Sequence, residues 1–525
     1  MGGVSVAWHF DRICVMIKRR IIFALRLAVL ILVGSAYSVW SESLDLVPYP
    51  REVEVAAGTA VLASLDKIPV TMARPGTMPA EGYELMVKPK GVKITAADAA
   101  GAFYARQTLK QLAKSAPGGG FSVPCCTIRD WPAFAWRGVL FDDCRHFFGK
   151  EAVKKTMDAM AAHKLNVFHW HLTEDQAWRL AVPKFPNLVK YGAVREQSEY
   201  PDGLGKNHAL DGKKYGPYFY TEADVTEILA YAKARHIRVI PEIEMPGHAC
   251  AALAAYPHLC CRGSIGKRTP WPKWGISRDI YCAGNDETIR FLEQVLDYVV
   301  SLFPDEVVHI GGDEAPKDRW NECPKCQARI KAVGVKNAHE LQGWMTRHFT
   351  EYLAKKGRRT IGWDEILEAE IPAETLVMWW HGKRHDLVLN AAKKGHNIVV
   401  CPSGNCYFDH RQVPPEEHQK LGYGYPTRRK NDLTLKVAYA FDPYEGHAEA
   451  KENIIGVQCN LWSEHIRTPS ELEWKMWPRA AATAEIGWSG AKAHPWKDFQ
   501  RRAAADMERM TAAGYNVCKS NPKSN

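Results

Sequence analysis

Two carboxylates stand side by side at positions 313 and 314, directly behind a glycine pair, in the run His309-Ile310-Gly311-Gly312-Asp313-Glu314. Adjacent carboxyls at a strand end repel each other, so one tends to keep its proton toward neutral pH while its neighbour stays ionised. That asymmetry is what a general acid beside an electrostatic stabiliser requires. The glycines remove side-chain bulk where the chain turns and where a ligand must approach. Alone, such a pair reads more readily as an exposed acidic loop than as a catalytic one, so its meaning depends on the elements that carry it.

Those elements change rhythm near residue 135. Residues 44–132 mix short alternating runs (52–55, 67–71, 83–87, 92–95) with one amphipathic helix, 101–113, on which Phe103, Leu109 and Leu112 share a face. This predicts a small α+β domain. Residues 136–500 alternate short apolar strands with amphipathic helices. The strands are predicted at 138–141, 166–172, 237–243, 306–310, 360–363, 376–380, 397–401 and 454–461. Helices are predicted at 150–163, 221–235, 286–302, 338–356 and 387–394, with a last one over 470–486 opened by a capping box of Ser470 and Glu473. Eight such units over ~350 residues predict an α/β fold, a (β/α)8 TIM barrel. The site of such a barrel lies at the carboxyl ends of its strands. In order, those ends carry Asp142, Asp143 and Arg145; Glu174 and Asp175; Glu242, Glu244 and His248; Asp313 and Glu314; Trp363 and Asp364; Trp379 and Trp380; Tyr407 and Asp409; Trp462 and Glu464. A ring of carboxylates and indoles suits a neutral, polyhydroxylated ligand, with hydroxyls donating to carboxylates and indoles covering apolar sugar faces.

The formal charge of +10 is diffuse once residues 1–38 are set aside, because Arg12, Lys18, Arg19, Arg20 and Arg26 against Asp11 contribute +4 of it. No dense basic stripe of the kind that nucleic acid needs is present, and Arg428-Arg429-Lys430 reads as a solvated loop. Lys18-Arg19-Arg20, the apolar run 21–33 and the small residues Gly34, Ser35, Ala36 and Ser38 predict a secretory signal peptide over 1–38. Cleavage is expected after Ala36 or Ser38, with Met16 as an alternative start. The run is shorter than the roughly 20 apolar residues of a membrane span, so no stable span is expected after cleavage, and an uncleaved anchor is the alternative. Of the 14 cysteines, 13 lie beyond this segment, an odd number that leaves at least one thiol without an internal partner. With no Asn-x-Ser/Thr sequon in the chain, the expected location is secreted or periplasmic in a bacterium. Cys323-Pro-Lys-Cys326 has the spacing of half a zinc site, but no second Cys or His pair at suitable spacing accompanies it, so a local disulfide or structural turn is expected. His169 and His171 alternate on a strand, a pattern open to metal binding.

Taken together, His309 to Glu314, Arg145-His146-Phe147-Phe148, the run Trp170 to Trp178 and the run Pro241 to His248 resemble the motifs of glycoside hydrolase family 20. Leu46 to Pro50 and the helix around Thr108-Leu109 resemble the small domain that precedes the barrel in that family. The resemblance spans about residues 44–490. It implies a β-N-acetylhexosaminidase that removes terminal N-acetylglucosamine or N-acetylgalactosamine by a substrate-assisted, retaining route, an exception to the two-carboxylate scheme. It implies Glu314 as general acid and base, Asp313 holding the acetamido nitrogen, Tyr407 donating to the acetamido oxygen, and Trp363, Trp380 and Trp462 as walls. Arg145, Glu464 and Asp409 are implied to bind hydroxyls, with His248 and Glu174 in a relay behind Glu314. It also implies structural hydrogen bonding for His169 and His171, with neither cofactor nor catalytic metal. One departure stands out: Glu174 occupies a position where the family usually has Asp, and either its longer side chain or Asp175 must reach His248. Three other readings compete. They are a two-carboxylate glycosidase, a non-catalytic glycan-binding barrel, for which a proton donor at Glu314 would be idle, and a phosphate-handling isomerase or aldolase, whose Gly-rich loop and catalytic Lys are not visible.

Overall fold

The structure is a computed structural model that describes residues 44–201, 208–425 and 432–520. The segment read as a signal peptide and the Arg428-Arg429-Lys430 run lie outside the described residues. The described residues from Asp45 onward form one compact unit.

Eight parallel strands close into a barrel: β1 (Trp136–Asp142), β2 (Val167–His171), β3 (Arg238–Glu242), β4 (Val307–His309), β5 (Arg359–Trp363), β6 (Leu376–Trp379), β7 (Ile398–Val400) and β8 (Ile454–Leu461), with β8 pairing back onto β1. Helices such as Lys150–Ala162, Asp286–Leu302 and Ala338–Ala354 return the chain between strands. Leu140, Val167, Ile240, Val307 and Ile361, from successive strands, lie in one buried cluster, because a strand covered on both faces gains roughly 25 cal/mol per Å² of apolar surface removed from water. Among the described residues no helix is long and apolar enough to cross a membrane.

The small domain is a twisted sheet ordered Glu52–Leu62, Phe121–Asp130, Tyr83–Lys88, Gly91–Ala96, Val70–Met72, with the helix Ala99–Leu112 against it. Its long strand Phe121–Asp130 was not expected from sequence. Pro124 argues against a strand interior, and here it sits beside a register shift in the pairing with Glu52–Leu62. The seam with the barrel is polar and closed. Lys164, 1% exposed, donates to Asp130 at 2.8 Å and to the Tyr83 hydroxyl at 2.9 Å, Trp488 donates to Asp130 at 2.8 Å, and Arg137 pairs with Glu81.

The helix expected over 470–486 is two helices, Pro469–Met476 and Arg479–Ser489. Pro478 lacks an amide hydrogen and disfavours helical backbone in the residue before it, so the chain breaks there. The first of the two is capped by Thr468, which accepts from the Glu471 amide, rather than by Ser470. A further helix, Trp496–Ala512, carries the chain past residue 500.

Candidate active site

The turn after β4 explains its glycines. Gly311 and Gly312 have φ of +65° and +102°, and a Cβ on Gly311 would lie 1.7 Å from Glu244 Oε2, one on Gly312 2.6 Å from Ile366. Glu314 and His248 also take left-handed backbone, φ 47° and 48°. Non-glycine residues hold that region only where their surroundings impose it, and such residues gather at functional sites.

His248 stands between the acidic pair and the barrel wall. Its Nε2 lies 3.5 Å from Asp313 and 3.7 Å from Glu314, while its Nδ1 donates to Glu174 at 2.7 Å. The longer Glu174 side chain therefore reaches His248 directly. Asp175 is 3.7 Å from the imidazole and instead accepts the amides of Cys250 and Ser277, tying down the loop that carries His248. Glu174 also pairs with Arg145 at 3.1 Å and bonds His171 at 3.0 Å. Burial would raise its pKa, but Arg145 and His248 overrule that and hold it well below the usual carboxylate range. Burial opposes charge on His248 as well, and Glu174 and Asp313 outweigh it, so the imidazole stays protonated. Glu314 moves the other way. Burial and then Asp313 raise its pKa, which favours its protonated form.

Beneath the mouth, Glu242 from β3 ties the floor together. It accepts from Trp363 Nε1 at 2.8 Å, lies 3.1 Å from His169, and bonds His171. Burial works against charge on His171, but Glu242 and Glu174 push its pKa up to about 10. His169 thus meets Glu242 and the Gln458 amide (3.0 Å), a hydrogen-bonding environment. Asp143 is likewise internal, accepting from Trp170, Tyr220 and the Phe148 amide, with burial raising it to about 6.

The aromatic wall is continuous. Trp363 and Trp462 are 5.7 Å apart between ring centroids, Tyr407 and Trp462 6.1 Å, and Trp380 and Tyr407 6.0 Å and nearly parallel. Arg145 lies over the Trp462 ring at 5.1 Å. Its guanidinium is fixed by Asp142 (3.1 Å) and Gln176 (2.9 Å), with Glu464 3.9 Å away. Asp409 is buried two residues past Tyr407, 3.6 Å from His410. One residue that the sequence reading passed over belongs here. At the end of β5, Asp364 turns to His381 (3.0 Å), whereas Glu365 accepts from Trp380 Nε1 at 3.1 Å. Burial, then Asp313 and Asp364, push Glu365 up to about 9, so it sits neutral beside the acidic pair. The signal for it was only its place next to Trp363-Asp364 at a strand end. Of the two readings of Cys323 and Cys326, a local disulfide or a structural turn, the disulfide is not formed. Both are free, and Cys326 lies against Cys261 and Cys282 instead.

A barrel with an acid pair, a charged relay and an indole wall at its mouth defines a class, the carbohydrate-active barrels, and comparison with known proteins narrows it. Residues 134–491 match the glycosyl hydrolase family 20 catalytic domain and residues 50–131 match that family's domain 2. The chain is 41% identical over 445 residues to a beta-hexosaminidase of Porphyromonas gingivalis, covering 83% of this chain and 54% of that protein. With a beta-hexosaminidase of Akkermansia muciniphila it shares 32% identity, covering 88% of this chain and 89% of the relative. It superposes with a TM-score of 0.79 on an exo beta-N-acetylglucosaminidase of Vibrio harveyi in complex with N-acetylglucosamine, at 28% identity, covering 92% of this chain and 79% of that one. A beta-N-acetylhexosaminidase of Bacteroides fragilis gives a TM-score of 0.75 at 28% identity, with 91% and 99% covered. The chain belongs to glycoside hydrolase family 20. It spans about half the length of the Porphyromonas relative and nearly all of the Akkermansia one.

Proposed function

We propose that this chain is an exo-acting β-N-acetylhexosaminidase that releases terminal N-acetylglucosamine or N-acetylgalactosamine from glycans with retention of configuration. The observation that carries the reading is that Asp313 and Glu314 both close on one imidazole nitrogen, at 3.5 and 3.7 Å. Two adjacent carboxylates that answer to one protonated imidazole suit a proton donor beside an electrostatic stabiliser, with the nucleophile supplied by the substrate rather than by a second carboxylate across the sugar.

In the first step Glu314 gives its proton to the glycosidic oxygen, the bond from that oxygen to the anomeric carbon breaks, and the 2-acetamido oxygen bonds to the anomeric carbon. Asp313 accepts the acetamido N–H and balances the positive oxazolinium. Tyr407 donates its hydroxyl to the acetamido oxygen, and burial keeps that hydroxyl protonated. In the second step the Glu314 carboxylate takes a proton from water as the water oxygen replaces the acetamido oxygen. Trp363, Trp380 and Trp462 enclose the acetamido methyl and the sugar face. Arg145, Glu464 and Asp409 bind outer hydroxyls, and the position of Arg145 beside Glu464 tolerates an equatorial or axial group. Glu174 fixes the charge and orientation of His248, which in turn faces Glu314.

The test is hydrolysis of 4-nitrophenyl N-acetyl-β-D-glucosaminide, and of its galacto counterpart, by wild type and Glu314→Gln. Loss of about 10²-fold or more in the variant is expected, the scale of removing a general acid. Inhibition by a thiazoline analogue of the oxazoline supports the substrate-assisted step, while turnover with no such inhibition points to a two-carboxylate route. Folded wild type that turns over neither sugar would leave a glycan-binding barrel as the better reading. The signal over residues 1–38 supports export. Amino-terminal sequencing of the protein isolated from the periplasm or medium checks it, and an intact amino terminus on a cytosolic protein would refute it.

A further inference from the structure

Four cysteines far apart in sequence meet beside the active-site loops: Cys261 and Cys282 from the segment after β3, and Cys323 and Cys326 at the start of the helix Pro324–Ala332. Their sulfurs are 3.7 Å apart for Cys261 and Cys326, 3.6 Å for Cys282 and Cys326, and 3.8 Å for Cys282 and Cys323. A disulfide holds its sulfurs at about 2.05 Å. A tetrahedral zinc ion with Zn–S bonds of about 2.3 Å sets every sulfur pair at about 3.8 Å. From this match we infer that Cys261, Cys282, Cys323 and Cys326 form a structural tetrathiolate site for one zinc ion, separate from the catalytic pair.

The surroundings are built for it. Three of the four thiols are buried and Cys261 is half-buried. A Cβ on Gly284 would come within 2.3 Å of the backbone of Lys325 and Cys326, so only glycine lets the two cysteine-bearing segments close on each other. Cys323 caps the helix and Cys326 lies in its first turn, where the positive end of the helix favours thiolate. Four ligands complete the coordination sphere and leave no open position, which marks a structural rather than a catalytic zinc. The ion would join the segment that follows His248 to the segment that follows Glu314. Those segments are also joined by Trp320 donating to the Tyr281 carbonyl (2.8 Å) and Arg319 to Asp279 (2.9 Å).

The experiment is elemental analysis of the full-length chain purified without chelator, with a mercurial titration that follows zinc release and mercaptide formation together. One zinc per chain, released as the mercurial consumes four thiols, is expected. Cys326→Ser should abolish stoichiometric zinc and lower the melting temperature by roughly 5 °C or more, whereas Cys125→Ser, outside the cluster, should leave the zinc content unchanged. Cobalt loaded in place of zinc should give the visible ligand-field bands of a tetrahedral tetrathiolate. Zinc well below one per chain, or disulfides among these four cysteines found by mass spectrometry of the wild type, would overturn the assignment even if Cys326→Ser fails to fold. None of these readouts depends on glycosidase activity.

Discussion

Replacing Glu174 with Gln removes a charge and almost no volume, from the group on which four donors converge. One oxygen accepts from His248 and from the Asp175 amide, both at 2.7 Å; the other faces His171 at 3.0 Å and Arg145 at 3.1 Å. Gln keeps one accepting oxygen, so its amino group must face two of these donors. Removing one partner of a buried charged group costs about 3–5 kcal/mol. Arg145 retains Asp142 and His171 retains Glu242, which argues for the lower end, about 3 kcal/mol. At roughly 2–4 °C per kcal/mol for domains of 150–250 residues, and about 1 °C per kcal/mol for a chain of this length, the melting temperature should fall by about 3–5 °C. The pH dependence has a definite sign. The folded-state pKa of Glu174 is depressed below its ordinary value of 4.5, so its contribution is full above that pH and is lost as pH falls toward the folded pKa. The stability gap between wild type and variant should therefore be constant from neutrality to about pH 4.5 and narrow below it, by at most about 1.4 kcal/mol per pH unit. Melting curves at neutral pH and below pH 4.5, paired with nitrophenyl-glycoside kinetics in which kcat falls about 10-fold or more, make the assay. A variant that melts with wild type at neutral pH, or a gap that widens in acid, would refute the network of charges drawn here.

Two further outcomes follow from the same geometry. Asp313 raises the pKa of Glu314, and the acid must be protonated to act, so activity should fall as pH rises through that raised value. In Asp313→Asn the alkaline limb of the residual kcat/KM should move to lower pH, and an unmoved limb would detach it from Glu314. Tyr407→Phe should lower kcat by about 10²–10³-fold, as expected for loss of a donor to developing charge. A change confined to KM would make the hydroxyl a ground-state contact only.

Much of this was legible in the chain itself. Short apolar runs alternating with amphipathic segments located all eight barrel strands to within one or two residues at most ends, because strands covered on both faces have little freedom of composition. Strand ends then pointed to Asp313, Glu314, Glu174, His248 and the indoles without reference to coordinates. What stayed hidden depends on direction and distance. Asp364 and Glu365 are indistinguishable on paper, and only the turn after β5 sends one to His381 and the other toward Asp313. Cys261 and Cys282 lack the close spacing of a metal half-site, so the four-cysteine cluster exists only once Gly284 brings two segments together. The break at Pro478 lies inside a stretch whose helical periodicity continues on either side, and only the fold shows two helices there. The strand Phe121–Asp130 contains Pro124, which it tolerates beside a shifted register.

The polar seam between the two matched regions bears on how such a protein can be inherited or rearranged. The family matches leave a border between residues 131 and 134, yet Asp130, on one side of it, holds Lys164 and Trp488 from the other. A barrel severed at that border would bare Lys164 and Arg137 with their counter-charges gone, and a small domain alone would bare Asp130 and Glu81. Recombination that joins this barrel to a foreign partner must therefore carry the complementary acids with it. The border drawn by sequence similarity is not a line along which the molecule can be cut.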